Sequence, residues 1–375
     1  MRAIFFISAG LMFYAYAGYP VLLAIIGAIR SEPESGPNAE PEEKDWPSLS
    51  VIVAAYNEES VITQRVENFT HCEYAGESEL IVVSDGSNDR TAEIVAGFGS
   101  NCVRVIKQST RQGKGVAVNV GAAHANGEIL VFSDANAMFD RNALAALVGP
   151  FHNPRVGLVT GISRYPDGTI GSAYQRYELM LKRLESRMGA IATADGAIYA
   201  MRRSLFRELD PVLINDFTHP ILVALQGFDS VLAADAVCRE DFSSAGEFAR
   251  QVRMVSQAAL VYFRFIPSLI RDRRWRSIAI LTSHKMLRWL TAPILAAAVL
   301  STLALAPQGG IYGFALLAEL ALALVAVAGF AANRMGLDSK ATFVYQFVTL
   351  NCAQAIGLWR CFSGQVPVVW KPRDL

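Results

Sequence analysis

The chain of 375 residues is 52% hydrophobic, and its 34 lysines and arginines are balanced by 34 aspartates and glutamates. This balance excludes the large charge excess that is typical of nucleic-acid-binding proteins and of charged disordered tails. The five cysteines have no CxxC spacing, so neither a disulfide framework nor a zinc site is indicated.

The first predicted element is a membrane-spanning helix within residues 1–30. Residues 3–29 carry no charge and exceed the roughly 20 residues that a spanning helix needs. A cleaved signal peptide is disfavoured, because further apolar residues follow the small residues of "YAYAG". Residues 31–48 are rich in Pro and Glu, which predicts an extended polar linker.

Beyond the linker, short β-branched runs alternate with helical segments. The predicted buried strands are "LSVIVAA", "ELIVVSD", "CVRVIKQ" and "EILVFSD". The helical segments between them are "EESVITQRVENF", "DRTAEIVAGF" and "GVAVNVGAAHA". Alternation of strand and helix predicts an α/β fold with a mainly parallel sheet.

Polar residues follow three of these strands, in "AAYNEE", "SDGSNDRT" and "SDANAMFD". Ligands of such sheets bind outside the carboxyl ends of the strands, so we expect a ligand-binding site among these three loops. Asp85 is well placed to accept hydrogen bonds from a base or a ribose. "RQGKGVAVN" does not fit the GxxxxGK[ST] phosphate loop, and GxGxxG is absent after the first strand. Lys114 remains a candidate partner of a phosphate at a helix start.

The C-terminal part of the chain predicts further membrane elements. Residues 290–332 contain two long apolar segments around the short turn "QGG", which indicates a transmembrane helical hairpin. The basic cluster "RDRRWR" precedes it and, by the positive-inside rule, places the soluble domain in the cytoplasm. Residues 258–289 are predicted to form interfacial amphipathic helices, and residues 343–362 a further transmembrane or interfacial helix.

Glu319 lies inside the second half of the hairpin, where a lone charge facing lipid is costly. We expect this side chain to face other protein. A functional carboxylate is the alternative.

The motifs "VIVAAYNEE", "VVSDGSNDRT", "RQGKGVAVNVG" and "VFSDANAMF", in this order, resemble the inverting family 2 glycosyltransferases. Downstream, "TADGAIYAMRR", "LINDFTHPILVALQGF", "EFARQVRMVSQ" and "SHKMLRWLTAP" extend the resemblance to the membrane-bound, synthase-like branch of that family, over nearly the whole chain. The resemblance implies a GT-A nucleotide-sugar domain over residues 49–257, with a Rossmann-like, mainly parallel sheet.

The resemblance also implies roles for residues of the donor site. It implies that the nucleotide pocket is lined by Ala54, Tyr56 and Glu58, and that Asp85 contacts the base or the ribose. Asp134 matches the first position of the family's Asp-x-Asp motif, which holds a divalent metal, Mg²⁺ or Mn²⁺, on the donor diphosphate. Asn136 replaces the second acid, so we expect metal and nucleotide sugar to bind together.

In the family, inversion uses an aspartate that takes the proton of the acceptor hydroxyl. "IND" puts Asp216 in that position, and Asp195 and Gly196 would lie beneath the sugar. A turn aspartate is the alternative for Asp216. The family's Gln-x-x-Arg-Trp motif is only partly matched, by Arg253, and the missing Trp argues against processive synthesis. Arg250 and Arg253 could clasp a diphosphate or an anionic acceptor, or form a solvated basic face.

The leading hypothesis is a metal-dependent inverting transfer of a sugar from a nucleotide sugar to a lipid-linked or cell-envelope glycan acceptor. The expected location is the inner membrane, with several spans and a cytoplasmic catalytic domain. The expected partners are the donor, the acceptor, membrane lipids and envelope polysaccharide assembly proteins, with no nucleic acid. The alternatives are a polyprenyl-phosphate glycosyltransferase and a degenerate, non-catalytic subunit of a polysaccharide assembly complex.

Overall fold

The computed structural model describes residues 1–29, 46–166, 173–240, 246–337 and 339–366. The chain divides into two compact units. As far as the structure describes the chain, the sheet unit lies within residues 24–240 and 261–280, and the helical unit lies within residues 1–23, 246–260 and 281–366. Residues 31–45 of the predicted polar linker lie outside the described residues.

The described strands form one sheet. They are β1 (Leu49–Ala55), β2 (Ser78–Asp85), β3 (Val103–Gln108), β4 (Ile129–Asp134), β5 (Met138–Phe139), β6 (Val156–Arg164), β7 (Ile198–Arg202) and β8 (Asp229–Arg239). Their order across the sheet is β3-β2-β1-β4-β7-β6-β8-β5. β1 pairs in parallel with β2 and β4, and β6 pairs in parallel with β8, whereas β7 and β5 pair antiparallel to their neighbours. The α/β fold class with a mainly parallel sheet is confirmed, and β5 to β8 are strands that the sequence did not predict.

The helices fall between and after the strands. In chain order they are α1 (Arg2–Phe13), α2 (Tyr19–Ile29), α3 (Ile62–Thr70), α4 (Thr91–Gly97), α5 (Lys114–His124), α6 (Ala143–Val148), α7 (Ala173–Ser186), α8 (Asn215–Leu225), α9 (Glu247–Arg271), α10 (Trp275–Ile280), α11 (Leu287–Trp289), α12 (Thr291–Leu305), α13 (Gly310–Arg334) and α14 (Lys340–Phe362). A π-helical turn joins α1 to α2, so residues 2–29 are helical throughout.

Side chains of the buried strands alternate between two apolar cores. Val51 and Val53 of β1 lie in the core that includes Val66 of α3, and Ile52 lies in the core that includes Val118 of α5. This period of two follows from the strand geometry, because successive side chains point to opposite faces of the sheet. Both faces are buried, which explains why β1, β2 and β4 read as continuous apolar runs.

Within the described ranges, three helices are long and apolar enough to cross a membrane: Arg2–Ile29, Thr291–Gln308 and Gly310–Arg334. They match the predicted N-terminal span and the predicted hairpin. α14 is a 23-residue helix but is not among them, and it buries the polar Asn351, whose amide oxygen accepts a hydrogen bond from the Tyr16 hydroxyl over 3.4 Å. Within the hairpin, Thr302 donates a 3.0 Å hydrogen bond to Glu319, which confirms that this carboxyl faces protein.

Candidate active site

The ends of three neighbouring parallel strands bring the predicted polar loops to one edge of the sheet. β1 lies between β2 and β4, and Asp134 at the end of β4 is in register with Ala54 of β1. Ser84, next to the end of β2, is in register with Ala55. The expected convergence at the carboxyl edge is therefore present, because parallel strands in register end on the same side.

The loops after β1 and β2 bond mainly to each other. Asn57 has a left-handed backbone (φ 54°), and its side-chain oxygen accepts the Asn88 N–H over 2.9 Å. The Glu58 N–H donates to the Thr91 hydroxyl over 2.8 Å. Much of the polar character of "AYNEE" and "SDGSNDRT" is thus used to hold two loops together, a role that the sequence did not reveal.

Tyr56 and Arg111 bring a third loop to the same edge. The Arg111 guanidinium lies over the Tyr56 ring, 3.7 Å from its centroid. A cation over an aromatic face is attracted by the negative charge density of the ring. The contact joins the loop after β1 to the loop before α5, next to Lys114.

Asp85 is buried, with 2% of its surface exposed, and its carboxylate organises the loop before α5. Its two oxygens accept the backbone N–H groups of Gln112 and Gly113, each over 2.7 Å. Gly86, the next residue, has φ 69°, and a Cβ there would come within 2.5 Å of the Arg111 nitrogen. The predicted contact of Asp85 with a base or ribose stays a prediction, because both oxygens already shape this loop.

Lys114 and Asp134 form an ion pair at the centre of the site. The Lys114 ammonium donates to Asp134 Oδ1, and the two side chains are 28% and 35% exposed. Burial alone would lower the pKa of Lys114, but the attraction of Asp134, Asp216 and Glu240 raises it, so this lysine is charged. The sequence predicted both residues for the donor diphosphate but did not predict that they bond to each other.

Asp216 lies in the first turn of α8, and its carboxyl interacts electrostatically with both residues of this pair. Burial raises the pKa of its carboxyl; Lys114 opposes that shift, and Asp134 adds to it. Its Oδ1 atom is buried without a hydrogen-bond partner among the described residues. A carboxylate with an unused oxygen and a raised pKa has the properties of a general base. Asp216 thus interacts electrostatically with Lys114 and Asp134, and its role as the base stays a prediction.

Gly196 and Asp195 support Asp216 from a neighbouring loop. A Cβ on Gly196 would lie 3.2 Å from Asp216 Oδ2, so only glycine leaves this carboxyl its present space. Asp195 accepts the Ser163 hydroxyl over 2.7 Å and the Ser163 N–H over 3.0 Å. Asp195 thus anchors the loop to β6, and its predicted position beneath the sugar stays a prediction.

A buried hydrogen-bond network next to Asp216 was not predicted from the sequence. Asn215 donates its side-chain amide to the Tyr199 hydroxyl over 2.6 Å, and this hydroxyl bonds to His219 Nδ1 over 2.9 Å. Burial lowers the pKa of His219 to about 3, so its ring is neutral near pH 7. The three side chains fix the start of α8, and hence Asp216, against β7. The signal available in the sequence was the polar "ND" at the start of a helix that, apart from Thr218 and His219, is apolar.

We expect Tyr199→Phe to destabilise the protein and to slow any transfer that uses Asp216. The change leaves the Asn215 amide and the His219 ring without their buried partner, which costs roughly 1–3 kcal/mol. Thermal denaturation and initial rates measure the two effects. Tyr74→Phe is the matched control, because it removes a hydroxyl bonded to the Pro47 carbonyl, before β1. Equal losses of rate in both variants would contradict a role for the network in placing Asp216.

The donor set at the end of β4 fits a divalent cation that brings further oxygen ligands with it. Asp134 supplies one carboxylate, and Asn136, in the turn after β4, can supply an amide oxygen, which is also a hard ligand. Across the described residues, no group of three or more His, Cys, Asp or Glu side chains could hold a metal. A cation held by Asp134 and Asn136 would keep positions open for phosphate oxygens.

Arg250 and Arg253 belong to the helical unit, on α9. Arg250 forms an ion pair with Glu247 over 2.7 Å, and Arg253 donates a long 3.4 Å hydrogen bond to Gln257. Their predicted contact with a diphosphate or an anionic acceptor stays a prediction.

Comparisons with known proteins agree with this architecture. Residues 50–210 match the family model described as Glycosyl transferase family 2. Poly-beta-1,6-N-acetyl-D-glucosamine synthase of Staphylococcus epidermidis is 30% identical over 176 residues, which are 45% of this chain and 42% of that protein. The probable glycosyltransferase YdaM of Bacillus subtilis is 32% identical over 180 residues, 44% of this chain and 43% of that protein. The match therefore spans less than half the length of these relatives.

Among solved structures, the mannosyltransferase PcManGT of Pyrobaculum calidifontis, in complex with GDP-Man and Mn²⁺, superposes with a TM-score of 0.72. The superposition covers 96% of this chain and 99% of that one, at 22% sequence identity. At this identity the likeness establishes a shared fold, and it extends over the helical segments as well as the sheet.

Proposed function

This chain carries a family 2 glycosyltransferase domain of GT-A fold, and from that premise we propose that it transfers a sugar from a nucleoside diphosphate sugar, with inversion, to a lipid-linked or cell-envelope glycan acceptor at a membrane. The observation that carries the proposal is the grouping of Lys114, Asp134 and Asp216 at the carboxyl edge of the sheet. The synthase relative supports a glycan acceptor, and the three apolar helices support a membrane location.

In the proposed reaction, Asp216 takes the proton of the acceptor hydroxyl as its oxygen attacks the anomeric carbon. The new C–O bond forms on the face opposite the leaving diphosphate, which departs with the electron pair of the broken bond. Asp134 and Asn136 would hold the divalent cation, which when bound offsets negative charge on the leaving diphosphate. Lys114, which directly follows the loop that Asp85 holds, contributes positive charge to the same diphosphate.

Asn215 and Tyr199 keep Asp216 in place during this reaction, and Gly196 leaves space beside its carboxyl. The elevated pKa of Asp216 makes it a better proton acceptor than an ordinary carboxylate, as long as the pH stays above that pKa. In the proposed reaction, Asp216 therefore receives the acceptor proton.

The basic cluster before the hairpin gives no specific support to a polyprenyl-phosphate acceptor. Arg274 donates to the Leu225 carbonyl over 3.0 Å, and Arg276 donates to the Met188 carbonyl over 2.8 Å. Both side chains thus hold parts of the sheet unit together.

A screen of nucleotide sugars by thermal stabilisation of the purified full-length protein, with and without Mn²⁺ or Mg²⁺, tests the proposal. We expect at least one nucleoside diphosphate sugar to raise the melting temperature only when the metal is present. Product analysis with that donor and membrane-extracted acceptors then identifies the acceptor class and the anomeric configuration. Absence of stabilisation by every UDP-, GDP-, ADP-, CDP- and dTDP-sugar tested, with either metal, would contradict the proposal.

We expect Asp134→Ala to abolish metal-dependent donor binding, because it removes the one carboxylate of the donor set. Isothermal titration of the donor found in the screen, with metal, measures this loss. Asp140→Ala is the matched control, because the Asp140 carboxylate pairs with Arg239 over 2.7 Å instead. Metal-dependent binding that survives in the Asp134 variant would contradict the assignment.

A further inference from the structure

We propose that Lys114 is a built-in counter-cation that occupies Asp134 until a diphosphate draws it away, so that Asp134 accepts a divalent cation only together with the diphosphate. This inference rests on the proposed function. It adds a cause to the expected joint binding of donor and metal, which Asn136 alone was expected to explain.

The first observation is that the ammonium and the carboxylate are already bonded. Lys114 donates to Asp134 Oδ1, the same carboxylate that would hold a metal. A divalent cation needs the lone pairs of that carboxylate and is repelled by a unit positive charge in contact with it. Lys114 therefore competes with a metal both for the ligand and through its charge.

The second observation is that Lys114 is held in place by its own backbone. It is the first residue of α5, and the preceding Gly113 N–H is fixed by Asp85 over 2.7 Å. Its side chain is 28% exposed, compared with 55% for Lys107, which pairs with Glu93 on the surface. An exposed lysine would release its partner to solvent at little cost, whereas the pair of Lys114 and Asp134 is less exposed and is screened less by solvent.

The third observation concerns charge balance. Asn136 is neutral, so the pair of Lys114 and Asp134 has no net charge. A dication that displaced Lys114 without any other anion would add two positive charges to a partly buried site, where Asp216 and Glu240 are the further carboxylates that act on Lys114. A diphosphate supplies the missing negative charge and offers its oxygens to the ammonium, which frees Asp134. The short side-chain movement of Lys114 thus couples the two binding events.

The test is Mn²⁺ binding to the full-length protein, measured by electron paramagnetic resonance, which detects free Mn²⁺ without any turnover. The wild-type protein is expected to bind Mn²⁺ weakly alone and tightly with GDP or UDP. Lys114→Met is expected to bind Mn²⁺ alone at least about tenfold more tightly than the wild type, because a competing unit charge has been removed. GDP or UDP should then add less to Mn²⁺ binding than it does in the wild type.

Lys107→Met is the matched control, because it removes a lysine with an ordinary surface ion pair, and it should leave Mn²⁺ binding unchanged. Lys114→Gln is a second variant that keeps a polar side chain, and its melting temperature shows whether the fold is intact. Unchanged or weaker binding of Mn²⁺ alone by both folded Lys114 variants would overturn the inference.

The same data separate this inference from the proposed function. If no nucleoside diphosphate strengthens Mn²⁺ binding by the wild-type protein, the proposed function and the inference both fail. If GDP or UDP does so but the Lys114 variants bind Mn²⁺ alone no better, only the inference fails.

Discussion

Asp216→Asn is expected to reduce sugar transfer by roughly 100- to 10,000-fold, the usual contribution of a general base, while donor and metal binding persist. The amide has nearly the same shape but cannot take the acceptor proton. Initial rates with the donor found by thermal screening, together with isothermal titration of that donor, measure the two effects. Transfer at the wild-type rate would show that another group receives the proton.

The same substitution should not destabilise the protein at neutral pH. The pKa of Asp216 is raised by burial, so its carboxyl favours folding most when protonated, and this contribution is lost as the pH rises through the raised pKa. Above that pKa, Asp216→Asn removes a buried charge and should hold or raise the melting temperature. A lower melting temperature at pH 8 than the wild type would contradict this account.

The wild-type enzyme should show the corresponding pH dependence. Transfer should fall as the pH drops through the pKa of Asp216, which lies above the ordinary aspartate value of 3.8. The fall should therefore occur at a higher pH than an unperturbed aspartate would give. The pH profile of kcat/KM tests this expectation over the range in which thermal denaturation shows the protein to be folded.

Asp85→Ala is expected to lower the free energy of unfolding by roughly 3 kcal/mol, because it leaves one buried and one partly buried backbone N–H group without their charged acceptor. The groups are those of Gln112 and Gly113, each 2.7 Å from the carboxylate. Loosening this loop also removes the support of Lys114, so donor binding should weaken as well. Thermal denaturation and isothermal titration of the donor measure the two losses.

Two further variants distinguish the loss of the loop's hydrogen bonds from the loss of a negative charge. Asp85→Asn keeps one acceptor oxygen and should lose less stability than Asp85→Ala. Asp210→Ala removes an exposed aspartate that pairs with Arg264 over 2.7 Å, and it should have little effect. A stable Asp85→Ala variant that fails only in donor binding would favour the original prediction that Asp85 contacts the nucleotide directly.

The first half of the sheet could be predicted from the sequence because its signal is local. β1 to β4 are short β-branched runs separated by helical periodicity, and their order along the chain implies parallel pairing. The strands β5 to β8 escaped prediction. β7, for example, pairs antiparallel between β4 and β6, and a pairing with strands so distant in sequence leaves no mark on the local pattern.

The positions at which helices begin also depend on contacts that the local sequence pattern does not contain. The helix after β1, α3, was expected from residue 58 but begins at Ile62, because Asn57 takes a left-handed backbone and the Glu58 carbonyl accepts the N–H groups of Val61 and Ile62. These interactions depend on the adjacent loop after β2, which binds Asn57 and Glu58. The hydrophobic periodicity of the helix cannot predict these interactions.

The sequence by itself determined the α/β class, the three long apolar helices and the residues that meet at the carboxyl edge, because each depends on hydropathy period, segment length or strand direction. Only the tertiary structure decided what those residues bond to. Asp85 accepts N–H groups that lie 27 and 28 residues further along the chain, and Lys114 meets Asp134 across 20 residues. Asn215 meets Tyr199 across 16. Such bonds depend on how the whole chain folds, and residue type alone does not identify the partner of each side chain.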